Sequence, residues 1–181
     1  MRIHYYYRSK WLSALILVAT CVLFSCSNPS KSPNTSAIER AGGKKISQEE
    51  MKGMSRITGQ TVYVPVYSHI YHREDMEFDL TATLSIRNTD FNNSIVVSSV
   101  KYYDTSGKLV REYADAPLVL PAMSTLDYVV GERDRTGGSG ANFVVEWFAE
   151  KVVSEPIIES VMIGTNGQQG ISFLSVGKVI K

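Results

Sequence analysis

The sequence is poor in cysteine, with two in 181 residues, and in histidine, with three. Two thiols cannot build a disulfide scaffold or a four-thiolate zinc centre. A charge excess is missing too: 19 Lys and Arg stand against 18 Asp and Glu, a formal net charge of +1. Phosphate backbones are bound by a clear basic surplus, so nucleic acid is not an expected partner. No Gly-Lys-Ser/Thr ending marks a phosphate loop, no Ser stands in a nucleophile elbow, and no repeat of about 20 to 50 residues is visible. Long segments of helical period are also missing, and only one long apolar run is present, the 13 residues Leu12 to Phe24.

That run follows Arg2, Arg8 and Lys10 with no acid among them, which is the grammar of a signal peptide. As a helix it would reach roughly 20 Å, short of the roughly 30 Å hydrocarbon core, so a spanning segment is not expected. Its ending, Leu23-Phe24-Ser25-Cys26, resembles the lipobox of bacterial lipoproteins. Cys21 is a weaker match, because Thr20 precedes it and Val22-Leu23-Phe24 would leave an apolar mature start. The resemblance implies that residues 1–25 are a removable lipoprotein signal peptide. It further implies that Cys26 becomes the first mature residue and the lipid attachment site, carrying diacylglyceryl and palmitate-like chains. At about 0.8 kcal/mol per buried methylene, more than one chain makes a lasting anchor. The expected location is the bacterial cell envelope, the chain being lipid-anchored to a membrane and periplasm-facing or surface-exposed.

Without the signal the charges redistribute. Residues 26–56 hold six basic and three acidic residues, a charge of +3, while residues 57–181 hold ten against fifteen, a charge of −5. Ser27 to Ser36 is a Ser/Pro/Asn mixture of low hydrophobicity, so 26–56 is expected to be a flexible tether. Ser47 and Glu50 fit a capping box and predict one short helix within it.

From Thr61 onward the period is two, the mark of half-buried strands. Leu80, Ala82, Leu84 and Ile86 alternate with Thr81, Thr83 and Ser85. Leu126 to Val130 and Phe143 to Trp147 repeat the pattern. Further strands are expected at Val62–Tyr71, Ile95–Tyr103, Leu109–Tyr113, Ile157–Ile163 and Ile171–Ile180, the last broken at Gly177. Pro65 lacks a ladder donor and predicts an edge position for its strand. Asp104-Thr105-Ser106-Gly107 has the residue types of a type I hairpin turn. The expected fold is all-β: an antiparallel immunoglobulin-like β-sandwich of about seven to nine strands over residues 57–181, with a small barrel as the alternative.

Thr61-Val62-Tyr63-Val64-Pro65-Val66-Tyr67-Ser68, Ile86-Arg87-Asn88-Thr89-Asp90, Tyr102-Tyr103-Asp104, Leu120-Pro121-Ala122-Met123-Ser124-Thr125 and Gly137-Gly138-Ser139-Gly140-Ala141-Asn142-Phe143-Val144-Val145-Glu146-Trp147 together resemble the bacterial family known as domain of unknown function 3124. The resemblance covers roughly residues 60 to 181 and implies no activity.

Two places suggest an interaction surface. Tyr63, Pro65, Tyr67, His69 and Tyr71 fall on one face of the first strand, and rings in such a stripe can stack on sugars or on another protein. The polar loop before the sixth of these strands, with Arg133, Asp134, the Gly137–Gly140 run and Asn142, reads as a flexible connection that could meet a partner. A metal is not expected at His69 and His72, because residues three apart point to opposite faces of a strand. With no cofactor motif and no assembled catalytic group, the expectation is a non-enzymatic, membrane-anchored envelope lipoprotein, a protein-interaction or structural module. The alternative is a glycan- or peptidoglycan-binding module of the same envelope.

Overall fold

The computed structural model describes residues 40–181. The expected signal peptide, Cys26 and the first part of the tether lie outside the described residues. Within them the period-two segments form antiparallel strands: β1 (Lys44–Lys45), β2 (Thr58–Val66), β3 (His69–Arg73), β4 (Met76–Asp79), β5 (Thr81–Arg87), β6 (Ile95–Tyr103), β7 (Leu109–Glu112), β8 (Leu118–Leu120), β9 (Thr125–Val130), β10 (Ala141–Ala149), β11 (Ile157–Asn166), β12 (Gln169–Val176) and β13 (Lys178–Val179). A short helix, α1 (Gln48–Gly53), lies between β1 and β2.

The larger sheet runs β1-β8-β6-β10-β2-β13, with β7 also on β6; the smaller runs β12-β11-β5-β9, and β3 and β4 form a separate hairpin. Neither sheet closes on itself, so the fold is a β-sandwich and not a barrel. The alternation explains the packing. Ala82, Leu84 and Ile86 of β5 meet Val62, Val64 and Val66 of β2 and Phe143, Val145 and Trp147 of β10 in one buried cluster. Fully burying a large apolar side chain stabilises by about 1.5–3 kcal/mol, and this cluster is the main source of cohesion. Strands outnumber the seven to nine expected because the expected first and last segments are each divided, giving β2 with β3 and β12 with β13, and because β1, β4 and β8 fall outside the expected segments.

That division corrects the sequence reading of Val62–Tyr71. The chain leaves the sheet after Val66, Ser68 donates its N–H to Gly138 and accepts from Leu80, and pairing resumes in the β3–β4 hairpin. Pro65 does not mark an edge strand either, since β2 lies between β10 and β13. It is tolerated because β13 pairs only with Val62 and Tyr63, so the absent donor removes no bond there, and the Pro65 carbonyl accepts from Ser160 Oγ at 2.6 Å.

Residues 41–56, expected in the tether, are built onto the sandwich. Lys44 and Lys45 pair with Val119 and Leu118, and Ile46 packs with Val96 and Phe148 under Met51 of α1 and Met54 at its C-cap. The helix starts with the expected box: Glu50 N–H donates to Ser47 Oγ at 3.1 Å, and Ser47 N–H donates to Glu50 Oε2 at 2.6 Å.

The Asp104–Gly107 turn forms as its residues predict. Gly107 has φ +80 and donates to the Asp104 carbonyl, while Asp104 Oδ1 accepts from the N–H groups of Ser106 and Lys108. A tighter knot sits at Asn88 and Asp90. Asn88 Nδ2 donates to the carbonyls of Asn93, Leu120 and Pro121, and Asp90 accepts from the N–H groups of Asn92, Asn93 and Ser154. Three connections of the sandwich are thus tied together at one corner.

Candidate binding cleft

Alternation along a hairpin gives it two unlike faces. On β3 and β4, His69 lies opposite Asp79 and Tyr71 opposite Glu77, whereas Ile70 lies opposite Phe78 on the other face. The polar face is fastened from outside by Arg135, whose guanidinium donates to Glu77 at 2.6 Å and to Asp79 at 2.8 Å. His69 Nδ1 meets Ser68 Oγ at 3.1 Å, and its Nε2 stands 3.6 Å from Glu77. Between two carboxylates, Arg135 is held even more firmly protonated than an ordinary arginine, first by its bond to Asp79.

The apolar face closes on the far end of β11 and β12. Gly164 permits it: a Cβ there would meet the Asp79 carbonyl and the Phe78 ring at 2.5 Å. Between the hairpin and the first residues of β12 lies a cleft of about 610 Å³, lined by Ile70, His72 and Phe78 on one wall and by Gln169, Gly170 and Ile171 on the other. A small acidic recess beside it is lined by Glu77, Asp79, Glu132, Phe78 and Thr165.

The smaller sheet is unusual on its outer side. Val129, Thr83, Val161 and Leu174 stand in register across its four strands, and Ile163 and Val176 extend the apolar surface along β11 and β12. Leu174 is 50% and Val176 66% exposed, although the solvent face of an antiparallel sheet is commonly polar.

Of the residues singled out from the sequence, Tyr71 is exposed and stacks edge-on with His69 at 5.5 Å. Tyr67 instead packs against the core, edge-on to Phe173 at 5.7 Å, and Tyr63 remains half-buried in β2. The break at Ser68 therefore splits the tyrosine stripe, and the three rings share no single face. Arg133 is exposed, but Asp134 is engaged with Arg111 at 3.0 Å and with the Thr136 hydroxyl. Burial opposes ionisation of Asp134, yet those bonds keep its carboxyl below the usual range. Asn142 is buried within β10, opposite Pro65 and Tyr103.

The Gly137–Gly140 run is not a loose loop. Gly137 is pressed on Tyr102, where any Cβ would collide with the hydroxyl, and Thr105 ties the run through Gly137 O and Gly140 N at 3.0 Å each. The cleft residues Ile70, Phe78 and Ile171, and the clamp Arg135, were not singled out from the sequence. The alternation of Met76-Glu77-Phe78-Asp79 is a readable strand signal, hidden there by the charges of Arg73, Glu74 and Asp75. Among the described residues no three His, Cys, Asp or Glu gather as a metal site, and no helix is long and apolar enough to cross a membrane.

A two-sheet antiparallel sandwich with a cleft at one hairpin defines a class of β domain rather than an activity. Within that class the chain belongs to the family described as protein of unknown function (DUF3124), whose model matches residues 59–180. No curated protein matches it significantly. Two solved structures are similar at low level. One is a crystal structure of Thermotoga maritima 1070, at 10% identity and a TM-score of 0.40, with 66% of this chain and 92% of that one covered. The other is FlgD from P. aeruginosa, at 14% identity and a TM-score of 0.23, with 69% and 78% covered. Neither likeness bears on function.

Proposed function

We propose that the protein is a lipid-anchored, non-enzymatic interaction module of the bacterial cell envelope. The observation that carries this reading is the cleft: Ile70, Phe78 and Ile171 line it beside His72, Gln169 and Gly170, a surface that can hold another molecule's apolar groups with polar groups at hand. The anchor rests on the cationic start, the 13-residue apolar run and Leu23-Phe24-Ser25-Cys26. A +3 stretch nearest the membrane and a −5 domain beyond it support the same orientation, since anionic head groups attract the first and hold off the second. The glycan-binding alternative is weakened by the separation of Tyr63, Tyr67 and Tyr71.

Two measurements test this. Mass spectrometry of the mature protein should find diacylglyceryl on an N-terminal Cys26, and Cys26→Ala should leave the membrane fraction; an unmodified Cys26 or an intact Met1 start overturns the anchor. Photo-cross-linkers placed at Ile70 and Ile171 in intact cells should give adducts with an envelope protein. Adducts arising only from positions remote from the cleft would overturn the interaction site.

A further inference from the structure

We propose that the outer edge of β12 and the adjoining cleft form a strand-addition site for an extended, apolar and basic segment of a partner protein. This rests on the reading of the domain as an interaction module and specifies how it would bind and what it would bind.

The edges of the two sheets are not treated alike. Exposed edges are templates for further strands, and natural sheets blunt them with charges, prolines or short length. In the larger sheet the terminal strands β1 and β13 have two residues each, and β1 is Lys44-Lys45 while β13 begins with Lys178. On β7, which also borders that sheet, Arg111 and Glu112 supply the charge. In the smaller sheet β9 carries Asp127, paired with Arg40 at 3.4 Å. β12 alone has none of these guards: Gln169-Gly170-Ile171-Ser172-Phe173-Leu174-Ser175-Val176 is eight residues long without a charge or a proline. All eight pair with β11 on one side, and no strand among the described residues takes the other.

An incoming strand would hydrogen-bond along that edge and turn alternate side chains to opposite faces. At the Gln169–Ile171 end one set reaches the cleft between Ile70, Phe78 and Ile171, while the other set extends the exposed apolar row at Leu174. The edge thus supplies main-chain partners and the cleft supplies side-chain selection.

Charge chooses the occupant. The turn joining β3 to β4 exposes Glu74 and Asp75, Glu77, Asp79 and Glu132 line the neighbouring recess, and Arg73, Arg133 and Arg135 offset only part of these five acids. A second copy of the chain would bring the same acidic turn and the same −5 domain, setting like charge against like. A basic segment meets neither obstacle.

The test uses the full-length lipidated protein in lipid nanodiscs and three fluorescent nonapeptides: alternating Val and Lys, the same with Glu for Lys, and the Lys form with N-methylated backbone amides. The Lys peptide should bind and slow amide exchange along residues 169–176. The Glu peptide should bind at least about ten-fold more weakly, and the N-methylated form should not bind, because it cannot complete the ladder. Ile171→Lys, at an already exposed position, and Glu74→Lys with Asp75→Lys, in the exposed turn, should each weaken the Lys peptide by about ten-fold or more, with Val152→Lys unchanged. Equal binding of the N-methylated peptide, protection confined to other strands, or no binding at all would overturn the proposal. Self-association that protects β12 without peptide would also overturn it and assign the edge to a second copy. Each failure leaves the lipid on Cys26 and the cross-links from Ile70 readable separately.

Discussion

Asp90 shows how one side chain can organise several loops. Its carboxyl is pulled down to about 2, first by the Asn92 N–H and then by those of Ser154 and Asn93, against an ordinary value near 4. A depressed carboxyl contributes stability above its unfolded value and loses it as pH falls through the folded one, so this contribution fades between about pH 4 and 2. The wild-type melting temperature should therefore drop more steeply across that window than that of Asp90→Asn, which should already melt lower at pH 7. Parallel pH profiles would contradict this. Tyr102 offers the reverse case. Its hydroxyl is buried with no hydrogen-bond partner among the described residues, and burial pushes the phenol up to about 12. Losing an unsatisfied group removes a desolvation cost of about 1 kcal/mol or more, so Tyr102→Phe should match or exceed wild-type stability in urea. Gly137→Ala should cost about 1–3 kcal/mol by overpacking, and the Phe background should recover part of it because the hydroxyl is the atom met first. A double variant as unstable as the single one would place the clash elsewhere.

Elements differ in how openly their sequences declare them. β5 and β9 follow from alternation, because each buries one face and leaves the other largely to solvent or polar neighbours, β10 follows from the alternation of Phe143 to Trp147 although Phe148 is buried on its other face, and the Asp104–Gly107 turn follows from its backbone chemistry. The β1 pairing and the placement of α1 do not. Lys44 and Lys45 carry no strand signal, and the few apolar residues around them reveal a binding surface only when Val96 and Phe148 are seen on the outside of the larger sheet. The capping box was legible because both partners lie within four residues; what the helix covers depends on strands far along the chain. The cleft was obscured for the same reason. Ile70, Phe78 and Ile171 are ordinary apolar residues until the break at Ser68 turns the hairpin toward β12. Since α1 is six residues long, its box should matter out of proportion: Ser47→Ala should cost about 1 kcal/mol and speed amide exchange in residues 47–54 before any change elsewhere. Unchanged exchange there would mean that packing of Met51 and Met54 alone holds the helix.

At the level of the whole molecule, β2 has both of its neighbours late in the chain: β10 at residues 141–149 and β13 at Lys178–Val179, with Thr61 also exchanging backbone bonds with Ile180 and Lys181. Truncation after Val176 removes those two bonds and the Gly177 donor to Ile158; at about 1 kcal/mol per backbone bond it should cost roughly 2–4 kcal/mol in denaturant unfolding. An unaltered midpoint would show that β13 is an ornament of the edge. The same arrangement has a meaning in time. A ribosome emits β2 early, but its partners arrive only when synthesis is nearly over, and contacts so distant in sequence form slowly. The larger sheet therefore cannot close around β2 until most of the chain has been made.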